Sequence, residues 1–471
     1  MLSRSGQYPL HIRFKHVEDS RRTFKPLPND YIHDCLEALS EALSYPSCLE
    51  TIRLDIPSYL FEEFAAKHVQ AAPMLRWLHL SSDGCDLPFD FLGGSAPLLT
   101  DLTLYGCGPA YNSHLLRNLT SLKLLGGAET TFEDRLCEAL RLMPALETLD
   151  LQEVYCNPPE DDTVVASLPR LRELKLKCSA VTCNALFDYV SFPASTSVEV
   201  AIKDCNLPDD TNIEDLVEFW TSIGRVLSPD FYPGRQRIIK SLAAYGDDEY
   251  EGKYFMLKAW NVSLSSDFNF TASSWRRTRP QPSPNFIVNI DWTHPEGQDP
   301  KFFENNYEAA FNALFLPGLE IMYTGHFPRD PHRRSNLLTD ALSPHLWLSP
   351  LRTIILFVEC CMHYLPELLV YRPGGRPLPL PTLERIILKA ADLHAYLVDD
   401  LYSSFRIRSR KGLKLQKLVM SGCEDCADVC KLCRVVDEVD LNSESLTETC
   451  TESSESEEDE ESGDSETGTE E

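Results

Sequence analysis

The sequence predicts an α/β fold of the leucine-rich-repeat solenoid type, a horseshoe with a parallel sheet on its concave side and helices outside. The main observation is the six-residue phrase LxxLxL. Clear copies begin at Leu75, Leu99, Leu119, Leu146 and Leu171, and weaker copies begin at Leu49, Leu351, Leu383 and Leu415. Successive starts lie 20 to 27 residues apart in the first half and 32 residues apart near the end. Such a period is typical of leucine-rich repeats.

The spacing within the phrase predicts a strand. The last two leucines are two residues apart, so they lie on one face of an extended chain. In LETLDL, Leu149 and Leu151 are expected to face the core, while Thr148 and Asp150 face outward. After the strand we expect a turn and usually a helix, as in the stretch from Phe132 to Met143, where apolar residues recur at helical spacing.

Three cysteines fit the turn that follows the strand in this repeat. Cys107, Cys205 and Cys423 each lie three residues after the last apolar strand position. The repeat pattern has Asn or Cys at that place. We therefore interpret these three cysteines as structural residues.

The middle third is less regular and contains the remaining elements. Strands are expected at Val198–Cys205, Tyr254–Leu264, Asn285–Trp292 and Leu319–Gly325, helices at Asp215–Leu227 and Phe303–Leu316, and Pro-rich loops at Arg277–Asn285 and Tyr371–Pro381. We expect residues 1–441 to form one irregular solenoid with insertions around 228–300 and 325–381. Residues 442–471 form a Ser/Glu-rich acidic run without aromatic residues, whose composition predicts disorder.

Composition restricts the function classes. Of the net charge of −28, 16 acidic residues follow Arg434, where no Lys or Arg occurs, so residues 1–434 carry −12. This balance gives no reason to expect specific nucleic-acid binding, which requires a basic face. There is no run of 18 apolar residues and no signal-peptide pattern, so we expect no membrane span and an intracellular protein, cytoplasmic or nuclear. The 16 cysteines are then expected to be reduced thiols.

One cysteine cluster could be considered as a metal site. Cys423, Cys426, Cys430 and Cys433 lie within eleven residues, and four thiols can bind zinc. Their offsets of 3, 4 and 3 are helical spacing, and no loop separates the two CxxC pairs. We therefore expect Cys426, Cys430 and Cys433 to line the apolar face of a last helix, and we expect no metal site.

No pattern indicates an enzyme or a cofactor. The phosphate-binding glycine loop, HExxH and GxSxG are all absent. The basic clusters at Trp275–Pro280 and Arg406–Lys411 are short, and we interpret them as solvated faces rather than nucleic-acid contacts.

The outward strand positions suggest where a protein partner binds. The middle outward position is polar in the early repeats (Arg53, His79, Thr103, Lys123, Asp150 and Lys175) and apolar in the last three (Ile355, Ile387 and Val419), with Phe357 beside them. An exposed apolar column indicates a docking patch. The alternative is that a long loop or the C-terminal segment covers it. A second, polar and aromatic contact region lies around Trp77, His79 and Tyr105.

Two end motifs resemble a known family. The opening SRSGQYPLHI is similar to the strand that starts the repeats of basidiomycete fungal F-box/leucine-rich-repeat proteins. The stretch LKLQKLVMSGCEDCADVCKLCRVVDEVDL is similar to their last repeat. The resemblance covers roughly residues 1 to 442.

The resemblance implies a role in substrate recognition. In that family an N-terminal F-box binds the Skp adaptor of a cullin ubiquitin ligase, and the repeats select the substrate. Nothing resembling an F-box precedes Ser3. We therefore expect the receptor surface without the adaptor-binding module.

A second family offers an alternative. Acidic leucine-rich nuclear phosphoproteins also join repeats to an acidic tail, and they bind histones. Their repeats are more uniform and their tails are denser in acidic residues. This resemblance implies a partner that is a histone or another basic protein.

Overall fold

A large sheet dominates the computed structural model of the chain. The structure describes residues 8–15, 34, 37–41, 43–58, 60–61, 65, 70–126, 136–156, 165–202, 213–227, 238–247, 253–264, 283–292, 310, 318–324, 350–357, 365–370, 378–389, 395–421 and 429–442. The strands are β1 (Leu10–Lys15), β2 (Leu49–Asp55), β3 (Trp77–Asp86), β4 (Asp101–Gly108), β5 (Ser121–Leu125), β6 (Thr148–Gln152), β7 (Ala166–Ser167), β8 (Glu173–Cys178), β9 (Val190–Ser191), β10 (Ser197–Ile202), β11 (Ser241–Asp247), β12 (Lys253–Trp260), β13 (Phe286–Trp292), β14 (Ile321–Thr324), β15 (Thr353–Phe357), β16 (Arg385–Lys389), β17 (Leu415–Ser421) and β18 (Val436–Asn442).

Sixteen strands form one sheet in the order β1-β2-β3-β4-β5-β6-β8-β10-β13-β12-β11-β14-β15-β16-β17-β18. The short strands β7 and β9 form a separate pair. Neighbouring strands of the large sheet are parallel, except that β12 is antiparallel to both β11 and β13. The expectation of a purely parallel sheet is therefore wrong at this point, because three consecutive strands connect as a meander in the middle of the sheet.

Every copy of LxxLxL forms a strand of the large sheet, as predicted. The copies correspond to β2, β3, β4, β5, β6, β8, β15, β16 and β17. In β6 the leucines Leu149 and Leu151 are buried, and Thr148 and Gln152 on the other face are only half-buried. The buried leucines of successive strands belong to one continuous apolar cluster. We call the face that carries them the core face, and the opposite face of the sheet the front face.

The α-helices with described bounds are α1 (Leu136–Leu140), α2 (Ala180–Tyr189), α3 (Ile213–Leu227), α4 (Leu365–Val370) and α5 (Ala395–Arg410). Within the described residues, the connections from β3 to β4 and from β4 to β5 contain only turns and short 3-10 helices, such as His114–Leu116, where the sequence predicts that a helix usually follows the strand. A short repeat leaves little chain between strands, and one 3-10 turn is enough to return it.

Helix α3 supplies the largest side chains on the core face. Phe219 and Trp220 are fully buried and contact each other edge to face, with ring centroids 5.2 Å apart. Trp220 also contacts Phe255 of β12 edge to face, with ring centroids 5.7 Å apart. This aromatic group packs the irregular middle of the sheet onto the same core as the leucine strands.

The predicted middle elements are present where the structure describes them. Strands β10, β12, β13 and β14 and helix α3 occur close to their expected places. Strand β11 was not predicted, and it lies with β12 and β13 in the segment around 228–300 that we expected to be an insertion. These three strands instead lie in the middle of the large sheet.

Several predictions fall outside the described residues. They are the acidic tail beyond Asn442, the Pro-rich loop from Arg277, most of the helix expected at Phe303–Leu316, and the turn residues Cys205 and Cys423.

Candidate functional site

One register row crosses the front face of all sixteen strands. We call it the middle row. Its members, in spatial order, are Arg13, Arg53, His79, Thr103, Lys123, Asp150, Lys175, Glu199, Ile287, Lys258, Ala243, Tyr323, Ile355, Ile387, Val419 and Asp440. The alignment predicted for Arg53 through Lys175 and for Ile355, Ile387 and Val419 is confirmed. Its first eight members are polar or charged, whereas apolar residues predominate in the second eight.

Two aromatic side chains stand out on the polar half of the front face. Trp77 of β3 is 42% exposed and Tyr105 of β4 is 47% exposed. Both face the front because Leu78 and Leu80, and their counterparts Leu102 and Leu104, occupy the core face. Trp77 and Tyr105 lie one strand and four residues apart, which places their Cα atoms about 14 Å from each other.

The backbone after Tyr105 is held in a defined turn. Gly106 has a φ of 65°, a conformation that glycine adopts without a steric penalty. The Cys107 thiol is buried and donates to the Tyr105 carbonyl at 3.2 Å, with a longer contact of 3.9 Å to the Leu80 carbonyl of the preceding strand. This geometry agrees with the structural role predicted for Cys107, and it fixes the end of the strand that carries Tyr105.

His79 lies between the two aromatic residues on the middle row and is half-buried. Burial lowers the pKa of its imidazole, the nearby Arg53 guanidinium lowers it further, and Asp55 acts in the opposite direction. The imidazole is therefore neutral at neutral pH. A neutral ring offers a partner one donor and one acceptor, without a charge that must be desolvated.

Further along the middle row, basic and acidic side chains alternate. Asp150 is buried between Lys123 and Lys175, and the Gln152 amide donates to its Oδ1 at 3.1 Å. Lys175 binds Glu173 of its own strand with Nζ 2.7 Å from Oε1, and that bond is the main reason why the pKa of Lys175 is raised. Such an alternating surface suits a partner that carries both signs in a fixed order.

The apolar half of the front face differs from the prediction. Ile355 is 0% exposed and Ile387 is 4% exposed, so the idea of an exposed apolar column is wrong for both residues. Val419 is half-buried, and the side chain of Phe357 lies outside the described part. The alternative that a loop covers the column agrees with this burial.

The apolar side chains buried on this side of the sheet form a second cluster, separate from the core. Its buried members are Ala243, Trp260, Leu264, Tyr323, Ile355 and Ile387, with Ile321 and Val419 at its border. We call this set the front cluster.

The chain that follows β12 turns back across β11 to reach the front cluster. Ser241 is fully buried, its Oγ donates to the Val262 carbonyl at 2.9 Å, and it accepts from the Leu264 amide at 3.0 Å. Ser263 Oγ also donates to Glu320 at 2.5 Å. Leu264 is thus brought over the apolar half of the front face.

The cysteine-rich segment does not pack as expected. Cys430 and Cys433 are exposed, so the predicted apolar face made of cysteines is wrong for these two residues. Residues Val429–Arg434 form a 3-10 helix, whose three-residue period buries Leu432 and Val435 instead. Cys423 and Cys426 lie outside the described residues. Among the residues that are described, no group of three or more His, Cys, Asp or Glu side chains could hold a metal ion.

The basic cluster at Arg406–Lys411 forms the end of α5, and one of its residues is not solvated. Arg408 is buried, and its guanidinium donates to the carbonyls of Pro379 at 2.6 Å and Leu380 at 2.7 Å. Arg408 therefore joins α5 to the segment before β16. The other cluster, at Trp275–Pro280, lies outside the described residues.

Sequence reasoning missed part of the front face. Arg13 and Glu199 extend the polar half of the middle row, and the alternation in LHIRFK and SVEVAI could have placed them. Lys258, the member of the row on β12, and Trp260, two residues further along that strand, were not recognised, because the place of β12 in the sheet depends on the meander.

Comparisons with known proteins add no family. No protein-family model matches the chain, and no curated protein is significantly similar to it in sequence. A search of the described helices for one long and apolar enough to cross a bilayer finds none.

Proposed function

We propose that the chain is a leucine-rich-repeat solenoid that binds another protein through the polar half of its front face. The repeat period, the register of successive strands and the burial of the LxxLxL leucines on one face support the solenoid. The binding surface consists of the front face of the eight strands from β1 to β10 in the large sheet. Neighbouring strands lie about 4.8 Å apart, so this surface is about 35 Å wide and about 15 Å high.

The exposure of Trp77 and Tyr105 carries the proposal. Large aromatic side chains that stay exposed on a rigid sheet are the residues that most often dominate protein interfaces. The core does not need them, since leucines fill the core face of both strands. The charges of Lys123, Asp150 and Lys175 would then set the orientation of the partner.

By resemblance, the role that fits best is substrate recognition for an F-box-type ubiquitin ligase. The opening motif that resembles those receptors runs into β1, and the closing motif includes β17 and most of β18. The repeats would select the substrate, and an F-box would bind the Skp adaptor. We propose no catalytic or cofactor-dependent role.

The experiment compares two double variants of the full chain by affinity purification and quantitative mass spectrometry. Trp77→Ala with Tyr105→Ala removes the anchors. Phe89→Ala with Tyr155→Ala removes two aromatic residues from loops that are at least as exposed as the anchors. We expect the recovery of specific partners to fall at least about ten-fold for the anchor variant alone, as truncation of central anchors predicts. Equal recovery with both variants would contradict the proposal.

The composition of the C-terminal region favours a second candidate function. The 16 acidic residues after Arg434, with no basic residue among them, suit a histone or another basic protein. Recovery of core histones with the full chain, lost when residues 443–471 are removed, would support this function. Recovery of Skp adaptor and cullin would support the ligase role.

A further inference from the structure

The large sheet ends in strand β1 on one side and in strand β18 on the other. Within the described residues, β1 pairs only with β2, and β18 pairs only with β17. Each strand therefore presents a line of backbone N–H and C=O groups that can pair with another strand.

The core-facing side chains at both ends are also incompletely covered. In β1 the residues Leu10, Ile12 and Phe14 are only half-buried, whereas the equivalent leucines of inner strands are fully buried. In β18, Val439 is half-buried and Leu441 is exposed. Terminal repeats that stand alone normally carry a polar cap over these positions.

The front-face charges at the two ends are opposite. His11, Arg13 and Lys15 of β1 are all exposed, and no acidic residue lies on the front face of that strand. On β18 the front-face residues include Glu438 and Asp440. The middle row thus begins with an arginine and ends with an aspartate.

We propose that two copies of the chain associate head to tail, with β18 of one copy pairing in parallel with β1 of the next. Continuing the register of the sheet places Glu438 beside His11 and Asp440 beside Arg13. The same charges oppose pairing of two β1 edges or two β18 edges, because like charges would then face each other. The contact is heterologous, so it can extend to longer assemblies unless the rotation closes a ring.

The acidic side chains of β18 are already partly neutralised within the chain. Lys417 of β17 binds both of them, with Nζ 2.6 Å from Glu438 and 3.3 Å from Asp440. One lysine serves two carboxylates, which leaves negative charge for Arg13 of a second copy. Because such exposed pairs are weak and are screened by salt, we expect a weak contact that is favoured at low ionic strength.

Charge reversal tests the proposal in sedimentation velocity experiments on the full chain. Arg13→Glu with Lys15→Glu makes both edges acidic, and Glu438→Lys with Asp440→Lys makes both edges basic. We expect the wild type to associate with rising concentration, and each variant alone to associate at least about ten-fold more weakly. An equimolar mixture of the two variants should associate again, since each supplies the edge that the other lacks.

Matched controls carry the same change of net charge away from the edges. They are Arg117→Glu with Arg141→Glu, and Asp90→Lys with Glu138→Lys, all at exposed positions. These controls should associate like the wild type, and circular dichroism should show that every variant is folded. Should a reversed edge unfold the chain, Arg13→Gln with Lys15→Gln replaces it and should still weaken association. A monomer at every concentration, or association that the edge variants leave unchanged, would overturn the proposal.

Discussion

The two halves of the front face share one register but have different chemistry. From β1 to β10 the middle row is polar, and the neighbouring Trp77 and Tyr105 are exposed. From β14 to β17 the row is apolar and belongs to the buried front cluster. The same position in the repeat thus lies at the surface in one half of the sheet and in a second apolar cluster in the other.

The difference shows that an apolar strand position is not by itself a docking site. In the second half, Trp260 of β12 and Leu264 from the chain that follows it belong to the same buried cluster as Ile355 and Ile387. The candidate surface for partner binding is therefore the polar half, whose outward residues form no apolar column in the sequence.

The largest effect is expected from a charge placed in the front cluster. Ile355→Asp buries a carboxylate without a partner and should lower the free energy of unfolding by about 3–5 kcal/mol. Thr103→Asp changes the same row in the polar half and should cost less than about 1 kcal/mol. Urea titrations measure both. Equal losses would show that the two halves are covered alike.

The two front-face tryptophans provide a second contrast. Trp260→Ala leaves a cavity in the front cluster and should cost about 3–5 kcal/mol. Trp77→Ala removes an exposed ring and should cost less than about 1 kcal/mol while weakening partner binding. Thermal unfolding of the two variants is the measurement. A large loss of stability for Trp77→Ala would assign that residue to packing rather than binding.

Lys258 lies at the border between the two halves. Its replacement should raise the stability of the chain, whereas the substitutions above lower it. Burial lowers its pKa from 10.5 to about 8, although Glu199 opposes this shift. The charge on Lys258 therefore lowers the stability of the folded chain at every pH below about 8, and this loss decreases as the pH rises toward 10.5. Lys258→Met should stabilise the chain by about 1–2 kcal/mol at pH 7 and by less at pH 10. Lys123→Met, on the exposed part of the same row, should change stability very little at either pH.

The smallest effect concerns His79. Its pKa is lowered in the folded chain, so the unfolded chain binds the proton more readily. The contribution of His79 to stability is therefore fully present above pH 6.5, and it is lost as the pH falls through the pKa of His79 in the folded chain. Relative to His79→Gln, the wild type should lose less than about 1 kcal/mol between pH 7.5 and pH 5. A wild type that gains stability relative to His79→Gln over that range would contradict this electrostatic environment.

The regular strands were predictable because their constraint is local. Two buried leucines two residues apart, as at Leu149 and Leu151, fix both the strand and the face that it buries. The register follows from the repetition of that pattern, so the polar part of the middle row and its aromatic neighbours could be placed in advance.

The middle of the sheet was not predictable in this way. Strand β11 contains Ala243 and Ala244, whose small side chains give a weak alternation signal. The antiparallel direction of β12 depends on its pairing with distant strands. The cover over Ile355 depends on hydrogen bonds of Ser241 to Val262 and Leu264, more than 85 residues earlier in the chain. Likewise, offsets of 3 and 4 could not distinguish an α-helix from the 3-10 helix that exposes Cys430 and Cys433.

The most direct measurement is side-chain oxidation of the full chain by hydroxyl radicals, followed by residue-level mass spectrometry. The front face offers two matched pairs: Trp77 at 42% exposure against Trp260 at 2%, and Tyr105 at 47% against Tyr323 at 1%. We predict that Trp77 and Tyr105 are oxidised at least about ten times faster than Trp260 and Tyr323, which the fold keeps from solvent. Equal rates within both pairs would contradict the division of the front face into an open half and a covered half.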